Sequence, residues 1–338
     1  MAAEAGVARA TVSKYLADGS RNYYVAESTR ERIASAIERL GYEPNAVARS
    51  LSNSRSYTIG VIVPSITNPF YPGLIAGIED VAGAEGFTVI LGSTEGSLER
   101  EERIVSSLRQ RQVDGIVLAS QQVEDGVVER LVESGLDVVL ASRPASSLMT
   151  DTVMADDMGG THAAMEHLLE HGHERIGHIA GPAGVATFRN RAEAFRASCH
   201  EHGAGRNATP VVVQAESATV EGGARAAEEL LASPGVTAVF AANDLIAMGV
   251  LSYCASIGRR VPEDLAVVGF DNVWVSRMPG IDLTTVDGKT REVGRMAAER
   301  VVERIRDRWA PVQSAPEPQA ITLSTELVRR RTCGCLTA

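Results

Sequence analysis

From Tyr57 onward, short apolar runs of strand length alternate with amphipathic stretches of helix length, and the alternation runs through twice. The first series of strand-like runs is Thr58–Val63, Thr88–Leu91, Gly115–Ala119 and Asp137–Ala141. The second is Arg175–Ala180, Pro210–Val213, Ala238–Ala241 and Leu265–Phe270, with helices expected near 189–203, 220–232 and 244–257. Such alternation gives parallel sheets covered by helices. Gly86 and Gly135 stand where two of the helices should stop. Two series predict two doubly wound lobes of the α/β class. A long amphipathic segment, Arg291–Arg308, carries Val293, Met296, Ala297, Val301 and Ile305 at helical spacing, and a last strand-like run spans Ala320–Val328.

The first 51 residues follow another pattern. Gly6 can take the left-handed conformation of a tight interhelical turn, after which Val7, Val12 and Leu16 pack inward. Arg9, Ala10, Thr11, Ser13 and Lys14 remain outside, a polar and basic face suited to base edges and phosphates. Ser28 and Glu31 read as a capping box for a further helix, with Ile33, Ile37 and Leu40 on its apolar face and Gly41 as its stop. Pro44 can open a short helix running to Leu51, and Ser52-Asn53-Ser54 reads as linker.

Charge follows the same division. Residues 1–55 hold eight Lys/Arg and six Asp/Glu, a net of +2, whereas the 338-residue chain is at −10, which leaves −12 for residues 56–338. Only the N-terminal unit is suited to a polyanion; the acidic body favours solubility. No apolar run of membrane-spanning length and no signal-peptide core is present, so a cytoplasmic chain is expected. There is no Gly-x-Ser-x-Gly elbow, phosphate loop or dinucleotide fingerprint, so neither catalytic residues nor a cofactor are expected. Cys199 and Cys254 read as small buried thiols, and Cys333-Gly-Cys335 supplies too few ligands for a metal. His167 and His171, four apart, have a metal-compatible spacing, but a helix C-terminus favours histidine in any case, and no metal site is expected.

Ligands of open parallel sheets sit beyond the carboxyl ends of strands. The polar residues there are Asn68 with Phe70 and Tyr71, Ser142-Arg143, Thr187 with Arg191, Asn243-Asp244 and Asp271-Asn272. Taken singly, Asp244 reads as a helix N-cap and Asn272 as a turn residue. An arginine fork with amide and carboxylate acceptors is the inventory a polyol needs.

Ala5-Gly6-Val7 followed by Thr11-Val12-Ser13 resembles the lactose-repressor (LacI/GalR) family of bacterial transcription regulators, and the plan of the chain matches that family to about residue 332. The resemblance implies an all-α helix-turn-helix headpiece (1–43), a hinge helix and linker (44–56), a two-lobed, periplasmic-binding-protein-like effector domain (57–332) and a tail (333–338). Lobe 1 would hold 57–158 and 286–317, and lobe 2 would hold 159–285 and 318–332. In that scheme Arg291–Arg308 packs on the first lobe and Ala320–Val328 returns to the second. The implied partners are a double-stranded, pseudo-palindromic DNA operator, a second copy of the chain, and a small effector, sugar or sugar derivative, that controls operator affinity. Arg9, Ala10, Thr11 and Lys14 would read bases, and Ser13 and Thr29 would contact phosphate. Asn45 and Ala48 belong to the hinge, and Leu51 resembles the family's leucine wedge.

Arg191, Asn243 and Asp271 match positions where sugar-binding members hold ligand hydroxyls. Ser142 departs from the Asp often found there, which keeps a nucleoside, a phosphorylated sugar or an acidic metabolite open. The run His167-Leu168-Leu169…Gly172-His173…Ile176 resembles a structural signature of the family. Against the family the headpiece begins late, by about a turn and a half of helix, so a start codon upstream of Met1 or weak DNA binding is expected; the loop from Ala17 to Tyr24 is longer than usual. The competing readings are a transporter's solute-binding protein lacking its export signal, and an enzyme on the same scaffold.

Overall fold

The computed structural model describes residues 1–18, 26–41, 55–119, 125–144, 149–202, 210–310 and 317–334. Among its described residues the N-terminal unit holds two helices, α1 (Arg9–Asp18) and α2 (Glu27–Leu40). Gly6 sits at φ +60° in the turn that launches α1, and Gly41 at φ +55° ends α2. Ala5, Val12, Ile33 and Ala36 form a small buried core, with Val7, Leu16 and Ile37 packed against it. Two details differ from the sequence reading. The capping box is not formed, because the chain enters α2 at Ala26, which places Ser28 inside the first turn, out of capping position. Leu40 is exposed, and the buried face of α2 is made by Ile33 and Ala36 with Ile37 beside them.

The rest of the chain builds two six-stranded sheets. In the first, the strands β1 (Thr58–Val63), β2 (Thr88–Ser93), β3 (Gly115–Leu118), β4 (Asp137–Ala141), β5 (Asp151–Ala155) and β11 (Ala320–Leu323) run in the order β11-β5-β4-β3-β1-β2, and every pairing is parallel. In the second, β6 (Ile176–Ala180), β7 (Val211–Gln214), β8 (Ala238–Ala241), β9 (Ala266–Phe270), β10 (Thr284–Asp287) and β12 (Glu326–Val328) run in the order β12-β10-β9-β8-β6-β7, with only β12 antiparallel.

Helices α3 (Phe70–Ala84), α4 (Leu98–Gln110) and α5 (Asp125–Glu133) belong to the first lobe. Helices α6 (Asp157–Glu170), α7 (Ala186–His202), α8 (Val220–Leu231) and α9 (Asp244–Ser256) belong to the second. The long α10 (Thr290–Trp309) joins the core of the first lobe through Val293, Ala297, Val301 and Ile305.

The run Ala320–Val328 is therefore not one strand returning to the second lobe. It breaks at Ser324-Thr325: Ala320–Leu323 lies parallel to β5, in register with Thr152–Ala155, and only Glu326–Val328 reaches β10. The lobe limits move accordingly, with 318–323 in the first lobe and 286–287 in the second. The chain passes between the lobes near residues 156, 288 and 324, and the first and last of these passages are tied by the Asp156 amide donating to the Leu323 carbonyl at 2.9 Å.

Asp151, at the start of β5, is fully buried and accepts from Arg300 at 3.1 Å, from Arg304 and from the Gln319 amide at 2.7 Å. Burial alone would push its carboxyl up, but Arg304, the Gln319 amide and Arg300 hold it below the ordinary value. Cys199 and Cys254 are free thiols.

Candidate functional site

A cleft between the lobes is floored by strand ends, as the open-sheet rule requires. From the first lobe, Asn68 accepts the Phe70 amide at 3.0 Å and so starts α3, which delivers Phe70 and Tyr71 into the cleft with their rings edge to face at 5.1 Å. Tyr71 is buried, and burial followed by the charge of Asp271 pushes its phenol up, so it remains a neutral O–H. From the second lobe come Thr187 and Arg191 on α7, Asn243 ahead of α9, and Asp271 after β9.

Arg191 organises this half. Its Nε donates to Asp157 at 2.8 Å, and its Nη1 donates to the Ala242 carbonyl at 2.7 Å and to Asp271 at 3.2 Å. Its guanidinium lies 3.6 Å from the centroid of the Phe270 ring, a cation–π contact that fixes the plane of the fork. Burial would lower its affinity for a proton, but Asp157 and Asp271 hold it above the usual value, so it stays charged. Asp157 is held up by burial against the pull of Arg191, and Asp271 is pushed up to about 6 by burial, again with Arg191 opposing.

Asp271 and Asn272 both adopt positive φ, 110° and 52°. The strained turn is held by Arg330, which donates to Asn272 Oδ1 at 2.6 Å, and by Asp244, which accepts the Val273 amide at 2.9 Å. Asp244 is wholly buried, and burial pushes its carboxyl well up.

Seven of the eight sequence-predicted cleft residues thus line one space: Asn68, Phe70, Tyr71, Thr187, Arg191, Asn243 and Asp271. Arg143 does not. It is buried beside the cleft, and Ser142, at φ +55°, takes the lining position. Asn243, not Asp244, is the N-cap of α9, its Oδ1 accepting the Ile246 amide at 2.9 Å. That occupies one lone pair of its Oδ1, while its amide NH₂ can donate to a ligand. Asp157, Met154 and Phe188 also line the cleft and were missed. The Asp156-Asp157 pair at a helix start was the signal for Asp157, since Asp156 caps α6 through the Gly159 amide at 2.8 Å and frees its neighbour.

On the headpiece, α1 exposes Arg9, Ala10 and Ser13, with Thr11 half-buried beside the inward Val12. Thr29 is half-buried on α2 and accepts from Arg32 at 3.2 Å. The side chain of Lys14, and Asn45, Ala48 and Leu51, lie outside the described residues. The His167 and His171 rings lie 4.3 Å apart with their planes tilted by 53°, and among the described residues no cluster of three metal-ligating side chains occurs.

Residues 1–45 match the family "Bacterial regulatory proteins, lacI family", and residues 165–333 match "Periplasmic binding protein-like domain". The chain is a lacI-family regulatory protein. Over 332 residues it is 31% identical to "HTH-type transcriptional repressor PurR" of Photobacterium profundum, covering 97% of this chain and 95% of the relative. It is 32% identical to "Ribose operon repressor" of Halalkalibacterium halodurans, covering 90% and 89%. Among solved structures, "transcriptional regulator CelR-cellobiose complex" matches with a TM-score of 0.73 at 32% identity, covering 98% of each chain. These relatives are DNA-binding transcription regulators, not enzymes or transport proteins, and the lacI-family chain described here is a DNA-binding regulator with an effector domain. No helix among the described residues is long and apolar enough to cross a membrane.

Proposed function

We propose that this regulator is a cytoplasmic repressor whose effector is an uncharged polyhydroxylated molecule, most simply a sugar, bound between Phe70 and Tyr71 on one side and Arg191, Asn243 and Asp271 on the other. The observation that carries this is the charge balance. Arg191 is the one cation in the lining among the described residues, and it is already shared by two carboxylates. A phosphate or carboxylate ligand would meet a net negative site in a low-dielectric space. A hydroxyl can donate to Asp271 and accept from the Asn243 amide, while Phe70 and Tyr71 cover its apolar face. Relatives named for ribose and cellobiose fit this class.

Arg9, Ala10, Thr11 and Lys14 read bases, Ser13 and Thr29 contact phosphate, and the hinge of Asn45, Ala48 and Leu51 enters the minor groove of a pseudo-palindromic operator. The chain acts as a homodimer, since one headpiece buries too little for strong specificity. The outer edge of the first sheet supports a second copy there: among the described residues β2 has no partner strand on that side, and Leu91 on β2 and Leu98 at the start of α4 are exposed. Binding favours the closed lobes and so shifts operator affinity by its differential affinity for the two states.

Calorimetry with free ribose, glucose and cellobiose against ribose 5-phosphate and glucose 6-phosphate tests the effector class. Tighter binding of the phosphorylated forms would overturn it.

A further inference from the structure

Helix α3, which begins with the cleft aromatics Phe70 and Tyr71, lies directly against α10 with no intervening layer of side chains. A Cβ on Gly77 would sit 2.0 Å from the Arg291 carbonyl oxygen, and one on Gly294 would sit 2.1 Å from that of Leu74. Backbone therefore meets backbone at two points, and Arg291 adds a two-pronged ion pair to Asp80 at 2.7 and 3.1 Å. Contacts this short leave no room to slide, so the pair moves as one body. One end of α10 follows Gly288, which lines the cleft. The other end, 20 residues on and about 30 Å away, is Trp309.

Trp309 is where the headpiece linker meets the body. The Arg55 guanidinium lies 4.5 Å over its ring, and Arg55 Nη2 donates to its carbonyl at 3.4 Å. Tyr57 meets the same ring edge-on at 5.3 Å, and Phe87 stacks on it at 5.8 Å. Beside it, Ser56 donates from its amide and hydroxyl to Asp114 at 3.3 and 3.0 Å, and Arg308 donates to the Asp114 carbonyl at 2.6 Å. Tyr57 is held at φ +52°, a conformation a tyrosine adopts only when its surroundings impose it.

We propose that Trp309 is a positioning residue for coupling between cleft and headpiece: it holds the root of the headpiece linker on the end of α10, so that movement at Phe70 and Tyr71 reaches the linker through the locked α3–α10 pair. The inference rests on the DNA-binding function and not on the sugar reading. It can therefore be tested with DNA alone, because coupling between two sites is reciprocal. If lobe movement reaches the linker, DNA held by the headpieces must alter the cleft.

The probe is a duplex selected by the full chain from a random library, and the readout is amide hydrogen exchange in the peptide covering 66–75. In the parent protein the duplex should change exchange there by about fivefold or more. Arg55→Ala and Trp309→Leu should still bind the duplex but lose that change, and Trp309→Phe, which keeps a ring for Arg55 and Tyr57, should restore most of it. A purely structural Trp309 would lower the melting temperature and leave the change in place, which overturns the proposal, as would a parent protein showing no change. Loss of duplex binding in Arg55→Ala with full transmission in Trp309→Leu would make Arg55 a phosphate contact and overturn it too. Should Trp309→Leu fail to fold, Arg55→Ala decides alone: retained transmission overturns the clamp.

Discussion

Arg191 and Asp157 meet at 2.8 Å with both side chains almost wholly removed from solvent, and Asp271 takes the other prong of the same guanidinium. Removing the arginine strands two buried carboxylates. Arg191→Met should therefore cost about 3–5 kcal/mol of stability, the usual penalty for breaking a buried pair from one side. Urea unfolding measures it, and a loss below ~1 kcal/mol would mean that water reaches the pair.

The carboxyl of Asp271, pushed up to about 6, gives a pH dependence of definite sign. Between its unfolded value near 3.8 and about 6 the folded protein binds the extra proton, so this group's contribution to stability is full below that window and is lost as pH rises through it. Asp271→Asn should flatten that part of the stability profile. The same variant should weaken sugar binding by about 1.5–3 kcal/mol, the worth of a hydrogen bond to a charged group. Melting curves from pH 4 to 7 and calorimetry give the two readings.

Asp151 behaves in the opposite sense. Its carboxyl is held below the ordinary value by Arg304, the Gln319 amide and Arg300, so its contribution is present above the unfolded value and is lost as pH falls through the folded one. Asp151→Asn should destabilise the first lobe by about 3–5 kcal/mol at neutral pH, with two arginines left facing a neutral amide. The deficit relative to the parent should shrink in acid, which chemical denaturation at pH 3 and pH 7 would reveal.

Leu51→Ala tests the hinge. A wedge acts only where the duplex can be kinked, so the variant should lose at least about 1–3 kcal/mol on the selected operator and keep most of its affinity for random DNA. Fluorescence anisotropy on the two duplexes separates these. Equal losses would remove Leu51 from the groove.

Much of this architecture was legible because eight of the strands are apolar runs bounded by turns. The two interior strands that escaped notice, β5 and β10, are polar in sequence. Asp151 and Thr152 lead one, and Thr284, Thr285 and Asp287 make up most of the other. Thr284 donates to the Arg330 carbonyl and Thr285 to Asp244, each more than 40 positions away. Hydropathy cannot anticipate such partners. The cleft was legible for the same reason in reverse, since a strand's carboxyl end marks it whatever the ligand. At the strand end before Arg143 it is Ser142, in a left-handed conformation, that lines the cleft, a local backbone feature without a composition signal.

The three passages of the chain between the lobes also bear on how the protein is made. The first sheet waits for Ala320–Leu323 to cover its β5 edge, and the second for Glu326–Val328 to cover β10. During synthesis both edges stay open until nearly the whole chain has left the ribosome. The growing polypeptide thus carries two unfinished sheets side by side, and neither lobe can be completed, inherited or exchanged as an uninterrupted stretch of gene.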